Sequence, residues 1–98
     1  MYSESQIKED LFEIRYYYSL QRIFEDNSKF VIPEQLVKKV EKYNAVIGNA
    51  PIKQYLVYML LYAFGKSQVE TAKEMKCSRE HVRVNIRKLI DYLQKELD

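Results

Sequence analysis

Three features of the sequence predict an all-α fold. Only two glycines and two prolines occur in 98 residues, so few positions oblige a helix to stop. Apolar residues recur at three- and four-residue spacing over long stretches. No stretch alternates apolar and polar residues for longer than chance. Cap and breaker residues stand where the apolar pattern pauses: Pro33, Gly48-Asn49, Pro51, Gly65, Ser67 and Ser78. They divide the chain into about five helices.

The first helix is expected from Glu4 to about Glu25, with Ser3 or Ser5 as its cap. Ile7, Leu11, Ile14 and Tyr18 form one apolar stripe along it. Phe12, Tyr16, Leu20 and Ile23 form another on roughly the opposite side. A surface helix of a monomer needs only one apolar face. The second stripe therefore points to burial in a homodimer through residues 4–25, the alternative being a helix wrapped by its own core. The stretch DNSKFVIP breaks the pattern, and Pro33 suits the first position of a second helix, Glu34 to Ile47. On that helix Leu36, Val40, Tyr43 and Ile47 share a face, with Lys38 and Lys42 on the far side. Gly48-Asn49 ends it. A third helix starts at Pro51, contains the apolar run YLVYMLLYAF, and ends at Gly65 in the position of a C-terminal cap.

Ser67 and Glu70 have the spacing of a capping box, in which hydroxyl and carboxylate satisfy exposed amides reciprocally. The fourth helix they open ends near Lys76, because Ser78 caps a fifth, from Arg79 to near Leu97. The whole chain, 1–98, reads as one domain, with an N-terminal helical pair over 1–50 and a C-terminal unit over 51–98.

Composition narrows the function. Hydrophobic residues make up 47% and charged residues 31%, the balance of a soluble globular chain. The run from Tyr55 to Phe64 is half the length that crosses a bilayer, and MYSESQIKED carries no secretory pattern, so no membrane partner and a cytoplasmic location are expected. One cysteine excludes an internal disulfide, and Cys77 with the single His81 does not supply the ligands of a zinc site. Paired carboxylates, a nucleophile–base pair and a phosphate-cradling glycine loop are missing, which argues against an enzyme and against a cofactor.

Charge is unevenly placed on a chain whose net charge is only +2. Six bases but two acids fall between Lys73 and Lys88. Such a stripe suits a polyanion. A short helix, a turn of about three residues and a longer capped helix have the order of a helix-turn-helix. On the last helix Val82, Ile86, Leu89, Leu93 and Leu97 must face the core. Glu80, Arg83 and Arg87 point elsewhere, with Arg79 at the helix start. In this motif the N-terminal half of the second helix enters the major groove. Arginine there can donate two parallel hydrogen bonds to guanine, and glutamate can accept from cytosine. Ser67, Gln68 and Ser78, at the two helix starts, suit the phosphate backbone. Arg87 and Lys88 lie further along and suit phosphate. The nine tyrosines are better placed for core and interface than for base stacking.

The stretch YLVYMLLYAFGKSQVETAKEMKCSREHVRVNIRKLIDYL resembles region four of bacterial sigma factors over about 45 residues. The best-matched parts are the apolar helix ending in Tyr62, Gly65-x-Ser67, Glu70-x-Ala72 and Ser78-Arg79-Glu80-x-Val82-Arg83. The resemblance implies that Arg79, Glu80 and Arg83 contact bases and phosphates, and that His81 and Val84 also face DNA. Two residues depart from the pattern. Thr71 replaces a larger aliphatic, at some cost in core burial. Lys76 stands where the turn commonly has glycine, so either Lys76 takes a positive φ or the turn changes shape. The core-binding and promoter-melting regions of a full sigma factor are not in this sequence. In size and layout it is similar to small phage and mobile-element transcription regulators of the ArpU and RinA kind. The expected function is sequence-specific binding of duplex DNA in a bacterial host cell, to regulate transcription. The rival is a protein-interaction module whose basic face docks on RNA polymerase or another acidic partner.

Overall fold

Serines, prolines and one glycine divide the chain as their chemistry requires. The computed structural model describes residues 1–23 and 32–97. All regular structure among them is helical: α1 (Glu4–Ile23), α2 (Glu34–Ile47), α3 (Ile52–Val57) running into a π-helical segment (Tyr58–Ala63), α4 (Gln68–Met75) and α5 (Arg79–Glu96). The all-α expectation holds. The last residues of the expected first helix, 24–25, lie outside the described residues, as does most of the DNSKFVIP break.

Ser3, not Ser5, caps α1: its Oγ accepts from the Gln6 amide at 3.0 Å. Pro33 sits one place earlier than expected, as the residue preceding α2, with φ −55° and ψ 134°. Pro51 does the same for α3. At both positions the missing N–H is one that the helix start leaves unpaired anyway.

The third helix differs most from its expected form. Its second half widens into a π-helix, where the Phe64 amide donates to the Met59 carbonyl at 2.8 Å. YLVYMLLYAF is apolar on every side, so nothing in its pattern distinguishes one winding from another. What ends the segment is clearer. Gly65 takes φ +69°, and a Cβ there would stand 2.6 Å from Arg22 Nη2. Arg22 Nη1 donates to the Ala63 carbonyl at 2.6 Å and Arg15 Nη2 to the Gly65 carbonyl at 3.2 Å. Two α1 cations thus satisfy carbonyls that the helix end leaves free, where the helix dipole favours positive charge.

The core draws on every helix. Ile7, Leu11 and Ile14 from α1 meet Val40, Tyr43 and Ile47 from α2, Val57, Tyr58 and Leu61, and Val82, Leu89, Ile90 and Leu93 from α5. On α5 the buried face differs from the predicted stripe at two points: Ile90 joins it, and Asn85 replaces Ile86. Asn85 is buried, and Ile86 is only partly so. Asn85 Oδ1 accepts from Gln54 Nε2 at 2.8 Å, and its own Nδ2 donates to the His81 carbonyl. A paired amide carries little burial penalty, so α5 turns Asn85 towards α3 and leaves Ile86 at the rim.

Beneath α1 lies a buried carboxylate. Asp10 is 2% exposed; its Oδ2 accepts from the Tyr43 hydroxyl at 2.7 Å, and its Oδ1 accepts from Gln6 at 2.8 Å and pairs with Lys39 at 3.1 Å. Lys39 also pairs with Glu13. Burial first, and the Asp10 carboxylate second, push the Tyr43 hydroxyl above its usual range and keep it a donor. Asp10→Ala should cost about 3 kcal/mol or more, because it leaves that hydroxyl buried without an acceptor and removes one of the two carboxylate partners of Lys39. Asp10→Asn, which keeps an acceptor, should cost less. Urea denaturation of the two variants measures the difference.

Candidate nucleic-acid interface

Two serines set the directions of the last two helices. Ser67 Oγ accepts from the Glu70 amide at 3.1 Å, while Glu70 Oε1 accepts from the Ser67 amide at 2.9 Å, completing the expected capping box. Those bonds, the Ser67 amide foremost, hold the Glu70 carboxyl below the usual carboxylate range. Ser78 Oγ accepts from the His81 amide at 3.1 Å and starts α5. Both side-chain oxygens are therefore committed to caps, which leaves their hydroxyl protons as donors to an outside group.

Lys76, Cys77 and Ser78 join α4 to α5. Of the two shapes open to this turn, the chain adopts the glycine-like one: Lys76 has φ 54° and ψ 48°. The Cys77 amide donates to the Ala72 carbonyl at 3.0 Å, the long bond that closes a left-handed helix end. Thr71, the other departure, is buried, and its Oγ1 has no hydrogen-bond partner among the described residues. Thus the smaller side chain is fully covered and its hydroxyl is stranded.

With Val82, Asn85 and Leu89 facing inward, α5 turns Arg79, Glu80, Arg83, Val84, Arg87 and Lys88 to solvent. Val84 is 42% exposed among these charges. The cations differ in their surroundings. Arg79 and Lys88 make no ion pair or hydrogen bond among the described residues. Arg83 pairs with Glu80 at 3.6 Å, and its Nε donates to Gln68 Oε1 at 3.4 Å. Arg87 is the most restrained: it pairs with Glu4 of α1 and with Asp91 at 2.9 Å. Asp91 first and Glu4 second raise the Arg87 pKa further, and Arg87 in turn lowers that of Glu4.

His81 and Ser78 stand apart from this face. They line an open groove of about 710 Å³ with Ile52, Leu56, Met75 and Cys77, rimmed by Lys53, Lys76 and Glu74. Periodicity does not reveal this groove, since Leu56 belongs to the run from Tyr55 to Phe64, which is apolar all round and carries no phase. In the fold Ile52 and Leu56 are exposed. The ten predicted site residues thus divide between an α5 face with Gln68 beside it, the two caps, and the groove edge at His81.

Comparison of the chain with family models, with curated proteins and with solved structures finds no match.

The two departures at the turn each carry a cost that a substitution should remove. Thr71→Val should stabilise by about 1 kcal/mol or more by deleting a stranded hydroxyl. Lys76→Gly should gain up to about 1 kcal/mol, the left-handed strain offset in part by added freedom of the unfolded chain. Denaturant midpoints at constant slope test both.

Proposed function

We propose that this protein binds duplex DNA sequence-specifically and regulates transcription, with the N-terminal half of α5 in the major groove. The observation that carries this reading is one exposed α5 face that combines Arg79, Arg83 and Lys88 with Glu80 and Val84. Cations alone would suit any polyanion. A glutamate and a valine among them suit base edges, as an acceptor for cytosine N4 and a partner for the thymine methyl. The eight-residue α4, the three-residue turn and the capped α5 have the order and lengths that present such a face. The resemblance to sigma factor region four supports the same reading, and similarity in layout to small phage regulators supports a role in phage or mobile-element transcription.

The groove beside His81 favours a second reading. Exposed Ile52 and Leu56, rimmed by two lysines and one glutamate, suit an apolar protein segment of net acidic charge, as RNA polymerase or another partner would offer. Strongly salt-dependent binding to duplexes selected from a random pool supports the first reading. Capture of polymerase without affinity for any duplex supports the second.

On a selected site, Arg83→Ala should cost about 1–3 kcal/mol and relax the preference at one position. Lys88→Ala should weaken all sequences alike and reduce the salt slope by about one. Titrations at several salt concentrations distinguish the two. A selected site that Arg83→Ala binds as tightly as the parent would sink the assignment of this face.

The outer stripe of α1 supports a second copy of the chain as partner. Phe12, Tyr16 and Ile23 are 75%, 58% and 68% exposed. One apolar stripe on each copy is self-complementary about a two-fold axis, and paired α5 helices would then read two half-sites about one DNA turn apart, or a multiple of it. Sedimentation of the parent should show dimers at tens of micromolar, and Tyr16→Lys or Ile23→Lys should give folded monomers that bind the full site much more weakly. A parent that stays monomeric both free and on DNA overturns the dimer.

A further inference from the structure

Arg83 is held from two sides by groups on different helices. Gln68, the first residue of α4, is half-buried, and its Oε1 accepts from Arg83 Nε at 3.4 Å. Glu80, one turn earlier on α5, places Oε2 at 3.6 Å from Arg83 Nη1. A guanidinium offers parallel N–H pairs along two edges. One edge is shared by Nε and a terminal nitrogen, the other by the two terminal nitrogens. Gln68 occupies the Nε edge. Glu80 lies beyond hydrogen-bond reach of Nη1, and neither terminal nitrogen donates a hydrogen bond among the described residues, so the terminal edge keeps its donors.

The neighbouring carboxylate decides which acceptor suits that edge. A phosphate on Arg83 would bring a second anion close to Glu80, and like charges at that range repel. Guanine O6 and N7 are neutral acceptors and avoid this repulsion. Adenine offers N7 beside an amino donor, which opposes the N–H groups of arginine. A long contact between solvated side chains adds little stability. Its physical effect is to restrict a flexible arginine before DNA arrives, so that less freedom is lost on binding.

We infer that Gln68 is a positioning residue: it holds the Nε edge of Arg83 so that the terminal edge selects guanine over adenine and over phosphate. The inference rests on the DNA-binding reading above.

The test uses a duplex selected by the full chain, with 7-deazaguanine replacing each guanine in turn. This base still pairs but has lost the N7 acceptor. One position should lose its sensitivity to the replacement in Arg83→Ala, which identifies the guanine that Arg83 reads. At that position Gln68→Ala should reduce the guanine-over-deazaguanine ratio roughly three- to tenfold, with melting temperature and salt slope unchanged. Gln68→Glu keeps the acceptor and should keep the ratio, whatever its charge does to overall affinity. A Gln68→Ala ratio equal to the parent's overturns the inference. So does an equal fall at every position together with a lowered melting temperature, which marks a structural role. If the parent binds its site specifically but Arg83→Ala changes no ratio, the inference fails and the DNA-binding reading stands. A parent that selects no sequence from the pool ends both.

Discussion

The arrangement of the C-terminal helices depends on how α1 is held down. A carboxylate without water around it is costly, and Asp10 meets that cost with Tyr43, Gln6 and Lys39, two of them on α2. The Asp10 network therefore ties α1 to α2 along one line. From there α1 reaches both ends of the C-terminal unit. Glu4 at its start pairs with Arg87 of α5, while Arg15 and Arg22 further along bind the carbonyls of Ala63 and Gly65. Gly65 lies two residues before the cap of α4, so α1 bears on the start of one helix and the side of the other. Residues of α1 thereby position the helices that carry the basic stripe.

The same arrangement sorts the cations. Six bases between Lys73 and Lys88 look equivalent as a charge run, but an arginine is available to a ligand only to the extent that its own fold leaves its donors free. Arg87 is held by two carboxylates, one of them from α1, and a phosphate would have to displace them. Arg83 keeps one edge. Arg79 and Lys88 keep all their donors among the described residues. A uniform stripe becomes a graded surface, with free cations flanking an oriented one. That grading accords with the base-reading face proposed above.

Two of the apolar surfaces exposed among the described residues differ in kind. Phe12, Tyr16 and Ile23 form a convex line on one helix, which suits another flat helix face. Ile52 and Leu56 sit in a concavity with Met75 and Cys77, rimmed by Lys53, Lys76 and Glu74, which suits an inserted side chain. A chain of this length buries a smaller fraction of its surface than a large one, so partners covering either area would add stability as well as function. The two surfaces are built on different helices.

Local signals determined much of this protein without help from the fold. Ser67 with Glu70, Ser78, Pro33, Pro51 and Gly65 act through atoms within a few residues, so their roles as caps and breakers are legible from spacing alone, to within one position. The all-α class, the short helix–turn–long helix order and the outward direction of Arg83 follow from the same short-range periodicity. Tertiary contact decided the rest. Asn85 rather than Ile86 is buried because Gln54, 31 residues away, offers it a partner. The π-helical winding over Tyr58–Ala63 lies in a run that is apolar all round, where periodicity carries no phase. Lys76 takes the left-handed conformation because the packing of α4 on α5 demands that turn, against its own preference. The unequal standing of Arg79, Arg83 and Arg87 came from Gln68 and Glu4, residues that reach them only once the chain has folded. Spacing along a helix reports which way a side chain points; only the assembled fold reports what it finds there.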